Sequence, residues 1–278
     1  MMLDMLLIIL LILCIVFRFY YSFQDKGEVS EIECSRVQLN GEEEMQSDAL
    51  YSNQTGAGMI ALAVDGIGHK GIGQACAILA MQSIRDLFLS YSHIDKPAYF
   101  LSLALQNAHN RLTQFLDDRY GGASIGCGLI INNQLYYAVV GDVEVWLYRK
   151  ESLIPLSIGQ TLDVLAKNSY LSGKISREVA VRACNEKRVY NYAGQETFHN
   201  IELCQSPIRL EEKDLLLFCT KGIKETITEN DLIHCLSKQY KSAYEKVSMI
   251  ADAFSRSSQR DRDNGSVLLV QINRRKGQ

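Results

Sequence analysis

Short apolar runs bounded by turn residues alternate along the chain with longer stretches in which apolar side chains recur every three or four positions. Runs at 33–39, 49–52 and 59–64 predict strands, the last two joined by a turn at Asn53-Gln54-Thr55-Gly56. Residues 73–89 carry Ala77, Ala80, Ile84 and Phe88 at helical spacing, and 99–116 does the same with Leu101, Leu105, Ala108 and Leu112. A strand-rich block follows, in which 123–131 meets 135–140 across Asn132-Asn133, a two-residue hairpin signal, and 143–148 comes next. Residues 159–188 predict short helices broken at Ser172-Gly173, followed by a buried strand over 214–219, helices over 231–239 and 244–254, and a strand over 266–272. Strands, two helices, a strand meander, then helix and strand again predict an α+β fold with helices packed on antiparallel sheets.

The first residues differ in kind. Residues 5–17 are uninterrupted hydrocarbon, extended through Phe19, Tyr20 and Tyr21 with only Arg18 intruding. With Arg18 snorkelling and the tyrosines at an interface, the segment reaches the lower limit of about 17 residues for a membrane span. A cleaved signal peptide would want a positive start and small residues at a cleavage site, whereas Asp4 precedes the run and aromatics follow it. The expectation is therefore a transmembrane anchor over 1–22, a juxtamembrane linker over 23–34 and a single domain over 35–274. Arg18 and Lys26 after the segment would place that domain in the cytoplasm.

The 278 residues are 47% apolar and 22% charged, enough for one ordinary hydrophobic core behind that extension. A net charge of −3 without a Lys/Arg-rich face argues against a nucleic-acid partner. Eight cysteines form no Cys-x-x-Cys pair and sit mostly in apolar runs, which reads as buried thiols rather than a disulfide scaffold.

Candidate chemistry centres on Val64-Asp65-Gly66-Ile67-Gly68-His69-Lys70-Gly71. A buried strand ends in an aspartate beside glycine carbonyls, which is how folds present oxygen ligands to a hard cation. Asp48, Asp142 and Asp263 are further acidic turn positions at strand ends. The five histidines form no ligand spacing, and His69 reads as a solvated loop residue or as a contact to a ligand or metal-bound water. The spacing Gly66-x-Gly68-x-x-Gly71 mimics a dinucleotide fingerprint, but no alternating βα pattern follows it.

Taken in order, these pieces resemble the metal-dependent protein phosphatases, the protein phosphatase 2C-like (PPM) family. EMQSDALY, ALAVDGIGHKGIGQAC, GGASIGCGLII, LYYAVVGDVEVWLYRK, LEEKDLLLFCTKGIKE and RDNGSVLLVQI stand where that family has its successive motifs. The resemblance implies two packed antiparallel β-sheets flanked by helices, with two Mn²⁺ or Mg²⁺ ions at one end. There a metal-activated water would attack phosphoserine or phosphothreonine. Carried over, Asp48 and Asp65 with the Gly66 carbonyl would hold the first ion. Asp65 and Asp263 would hold the second, and Asn264 would orient Asp263 or its loop. Asp142 reads as a structural turn residue outside the metal set.

The chain departs from this pattern most at two places, with smaller departures at Ser47 and at Val143-Glu144. Lys221 stands in Thr220-Lys221-Gly222 where the family has an aspartate ligand, and an ammonium has no lone pair to offer. Glu42-Glu43-Glu44 precedes Asp48 where many members carry a phosphate-gripping arginine, and Arg36 is too far upstream to replace it. Two readings follow. One is a membrane-tethered serine/threonine phosphoprotein phosphatase, its activity weakened or lost through Lys221. The other is a pseudophosphatase that binds a phosphoprotein or a kinase.

Overall fold

Residues 60–64 and 122–130 are buried at every position rather than at alternate ones. Such runs arise when both faces of a sheet are covered. In the computed structural model, which describes residues 31–42, 45–184, 188–238, 240–260 and 262–273, the covering is done by a second sheet on one side and helices on the other.

The first sheet has the order β1 (Glu31–Leu39), β11 (Gly265–Asn273), β10 (Leu215–Cys219), β6 (Glu144–Arg149), β7 (Ser152–Pro155). The second runs β2 (Asp48–Thr55), β3 (Gly58–Ile67), β4 (Gly122–Ile131), β5 (Gln134–Val140), β8 (Glu202–Leu203), with β9 (Ile208–Arg209) also on β5. All these pairings are antiparallel. Between the sheets lie Leu50, Ala61, Val145, Phe218 and Leu268. Outside the second sheet pack α1 (Ile72–Leu89) and α2 (Pro97–Leu116), which bury Ile84, Phe88, Leu105 and Leu112. Outside the first pack α5 (Lys221–Thr226), α6 (Glu229–Leu236) and α7 (Ala243–Arg256), with Ile223, Leu236, Ile250 and Phe254 inward. Two antiparallel sheets flanked by helices are thus the architecture that the sequence implied.

Several boundaries are corrected. Strand β1 starts at Glu31, inside the expected linker, because Glu31 and Ile32 pair with Asn273 and Ile272. The β2–β3 turn falls at Gly56-Ala57 rather than at 53–56, since Asn53, Gln54 and Thr55 stay in register with Ile60, Met59 and Gly58. Short β7, β8 and β9 and helix α5 add to the expected elements. Between β7 and β8, α3 (Leu162–Leu171) and α4 (Arg177–Ala183) pack on each other around the expected break, where Gly173 has φ +71°.

The membrane placement is also corrected. No helix among the described residues is long and apolar enough to cross a membrane. The anchor expected over 1–22 lies outside the described residues, so a single-pass membrane protein is not supported.

Candidate active site

Register and two tight backbone contacts build the site at one end of the sandwich. Asp48 opens β2 and lies directly opposite Asp65 on β3. Facing carboxylates repel across a strand pair, so this is a costly choice for a purely structural position. Gly66 then lets the α1 end close in: a Cβ there would stand 2.0 Å from the Gly73 carbonyl oxygen and 2.7 Å from that of Ser47. Strands β10 and β11 end at the same rim and deliver Thr220, Lys221, Asp263 and Asn264. Gly222 permits the β10–α5 corner to touch the 263–264 backbone, since a Cβ there would meet the Asn264 oxygen at 2.1 Å.

Polar contacts tie the two sheets together here. The Thr220 hydroxyl donates to Asp48 Oδ2 at 2.9 Å and accepts from the Ser266 N–H at 2.8 Å. Asn264 Oδ1 accepts from the Gly41 N–H at 3.0 Å, its Nδ2 donates to the Met45 carbonyl at 2.7 Å, and its N–H donates to Asp263 Oδ1 at 3.1 Å. Asn264 therefore fixes Asp263, Gly41 and Met45.

A cleft of about 300 Å³ opens between these ends. Asp48, Asp65, Gly66, Asp263 and Asn264 all line it, as do His69 and Lys221. Asp142 lines it too, although as a Gly-Asp turn residue it looked merely structural. Missed from the sequence were Arg188 and Tyr192, on the long segment between β7 and β8. A bridge of Ala193 to Ala123 ties that segment to β4, and one of Val189 to Thr161 closes the segment on itself. Only the folded path of this segment reveals them. Arg36 donates to the Leu50 carbonyl and is not among the lining residues, while Glu43 and Glu44 lie outside the described residues.

Electrostatics separate the carboxylates. Burial pushes the Asp65 pKa well above the ordinary range, and the charges on Asp48, Asp142 and Asp263 push it further, against a smaller pull from Lys221. Burial also raises Asp142, while the Lys221 and Lys224 charges oppose that rise. Excess negative charge around Asp65 suits a bound cation. Asp263 is different: its Oδ2 lies 2.8 Å from Lys221 Nζ, which also stands 3.9 Å from Glu225. Burial works against the Lys221 charge, but the Asp263 hydrogen bond and charge, with Glu225 and Asp142, outweigh it and hold the pKa above that of ordinary lysine. Lys221 thus faces into the cleft as an ammonium. The carboxylates share the cleft without converging on one point, and among the described residues no three Asp, Glu, His or Cys are grouped to hold a metal ion.

Comparison with known proteins gives a one-sided result. No family profile and no curated protein matches the sequence. Solved structures do. The chain resembles the serine/threonine phosphatase of S. agalactiae at TM-score 0.73 and 18% identity, over 87% of this chain and 100% of that one. It resembles the PPM Ser-Thr phosphatase MsPP of Mycobacterium smegmatis at TM-score 0.70 and 15% identity, over 86% and 98%. It also resembles the catalytic domain of the serine/threonine protein phosphatase PstP, solved in complex with two manganese ions, at TM-score 0.65 and 15% identity, over 87% and 98%. Layer order, sheet pairing and near-complete mutual coverage agree with the motif order along the chain: this protein has the fold of the PPM serine/threonine phosphatases.

Proposed function

We propose that the chain recognises phosphoserine- or phosphothreonine-bearing protein segments in this cleft, that it holds a single divalent cation there, and that its phosphatase activity is weak or lost. The observation that carries this reading is the 2.8 Å contact between Lys221 Nζ and Asp263 Oδ2 inside the cleft.

The donor set fits one ion and not two. Asp48 and Asp65, paired across β2 and β3, with the Gly66 carbonyl, offer hard oxygen ligands in a region of surplus negative charge, which suits Mn²⁺ or Mg²⁺. A cation held there supplies a Lewis acid and a more acidic bound water. Asp263 is engaged by Lys221, and a second divalent ion beside that ammonium would be repelled. Arg188, which also lines the cleft, offers a guanidinium fork suited to phosphate oxygens. Lys221 and Arg188 together give the cleft positive charge for a phosphate that the acidic run at 42–44 does not provide.

The test compares a phosphothreonine peptide with its unmodified form in the presence of Mn²⁺. Preferential binding of the phosphopeptide is expected, with phosphate release about 10³-fold or more below the ~10 s⁻¹ typical of enzymes. Turnover near that typical value, or equal binding of the two peptides, would overturn the reading.

A further inference from the structure

A larger cavity, of about 430 Å³, lies at the opposite end of the first sheet. Its wall includes Tyr148 at the end of β6, Leu215 at the start of β10 and Gln271 near the end of β11. The catalytic rim lies beyond Cys219, four residues along β10 from Leu215, which at strand rise is about 13 Å. The volume falls within the ~300–1,000 Å³ range of small-molecule sites.

Charge pairing leaves this cavity with one buried uncompensated group; Glu151, Glu212 and Lys213 also line it but are exposed. Asp214 Oδ1 and Oδ2 accept from Arg149 at 2.9 and 2.6 Å, and Oδ2 also accepts from the Glu211 N–H at 2.7 Å. The Glu211 carboxylate sits 3.2 Å from Arg149 and 3.8 Å from Lys150. Lys246 is the exception. It projects from the inner face of α7, only 2% exposed, among Ala243, Val247 and Ile250. Its Nζ donates to Gln271 Oε1 at 2.8 Å and to the Lys241 carbonyl, both neutral acceptors. Among the described residues it forms no ion pair. Of the carboxylates whose field reaches it, Glu33 accepts from the Ala243 N–H and Asn273 Nδ2, and Glu245 closes the Ser242 capping box and pairs with Lys241. A buried lysine without a counter-charge is rare because its desolvation is uncompensated. Burial pushes its pKa below the ordinary lysine value, against the pull of Glu33 and Glu245.

We propose that this cavity is a second binding site, separate from the catalytic cleft, for a small organic monocarboxylate whose anionic end sits on Lys246 and whose apolar body lies against Tyr148, Leu215 and Leu236. These three side chains are nearly fully buried and line the cavity. A single negative charge matches the single buried cation without a carboxylate partner, Lys213 being exposed. A phosphate dianion would bring a second charge with no buried cation to match it and no apolar body to lie against Tyr148, Leu215 and Leu236. The inference stands independently of the phosphoprotein reading, since no cleft residue takes part in it.

Benzoate is the probe, titrated calorimetrically into the full chain beside its neutral isostere benzamide and inorganic phosphate. Benzoate is expected to bind at one site, benzamide about tenfold or more weaker, with phosphate failing to compete, because the charge-assisted contact is lost or mismatched. Lys246→Met should weaken benzoate by a similar factor while remaining folded, as an apolar chain of comparable length replaces a buried charge. Should that variant fail to fold, amide shift mapping on the wild type decides instead: perturbations are expected at Leu215, Leu236 and Gln271. Absence of benzoate binding, equal affinity for benzamide, undiminished binding by a folded Lys246→Met protein, or shifts confined to Asp48 and Asp65 would each overturn the proposal.

Discussion

Replacing Lys221 by aspartate probes the reason for proposing a single cation in the cleft. The wild-type ion pair with Asp263 has a gross attraction of about 6 kcal/mol at 2.8 Å and an effective dielectric of ~20. Its side chains are 36% and 30% exposed, so solvent screening reduces the net worth to about 1 kcal/mol. The pair itself is therefore a small obstacle, and the larger one is the sign of the charge. Exchanging +1 for −1 at about 4 Å from a divalent ion changes the interaction by about 4 kcal/mol even at the dielectric of bulk water. That corresponds to about a thousandfold in Kd. Lys221→Met should deliver about half of this free energy, by removing repulsion without adding a ligand. Calorimetric Mn²⁺ titration of both variants, with phosphate release from a phosphothreonine peptide measured in parallel, provides the assay. Lys221→Asp is expected to gain a second Mn²⁺ site and measurable turnover, with Lys221→Met intermediate in Mn²⁺ affinity. If Lys221→Asp binds Mn²⁺ no better than Lys221→Met, the electrostatic argument fails.

Other substitutions test the remaining parts of the site. Asp65→Asn removes a crowded carboxylate, so without metal the melting temperature should rise by about 2–4 °C for each kcal/mol of repulsion relieved. The same variant should lose stabilisation by Mn²⁺, which differential scanning calorimetry reads directly. Arg188→Ala should weaken phosphopeptide binding about tenfold and leave the unmodified peptide unaffected, as fluorescence anisotropy would show. His109 accepts the Gly194 N–H through Nδ1 and stacks on Phe198, and burial lowers its pKa. A depressed histidine pKa favours the fold while the ring is neutral, so that contribution is present above about pH 6.5 and is lost as pH falls through the folded value. Urea unfolding at pH 7.5 and pH 5 should therefore show a larger stability loss for wild type than for His109→Phe.

Much of this architecture was legible because local chemistry and tertiary demand coincide. Asn132 and Asn133 adopt φ 50° and 59°, the left-handed pair that a two-residue hairpin requires. The apolar spacing of 73–89 and 99–116 became α1 and α2 because the same side chains face the second sheet. Asp48, Asp65 and Asp263 were legible as chain-order motifs, and all three line one cleft. What stayed hidden depends on distant partners. Strands β8 and β9 have two residues each and exist only through pairing with β5. Asp142 resembles any Gly-Asp turn until the strand ends meet. Arg188 lies on a segment that the Ala193–Ala123 bridge ties to β4, a contact without a local signature. Lys246 falls within the helix expected over 244–254, and only the packing of α7 turns it inward onto Gln271.

The number of Mn²⁺ ions bound by the wild-type chain tests the central claim most directly. Calorimetric titration is expected to give one site that vanishes in Asp65→Asn, since Asp48 faces Asp65 across β2 and β3 while Asp263 is held by Lys221. Two sites in the wild type, or a single site that survives Asp65→Asn, would contradict it.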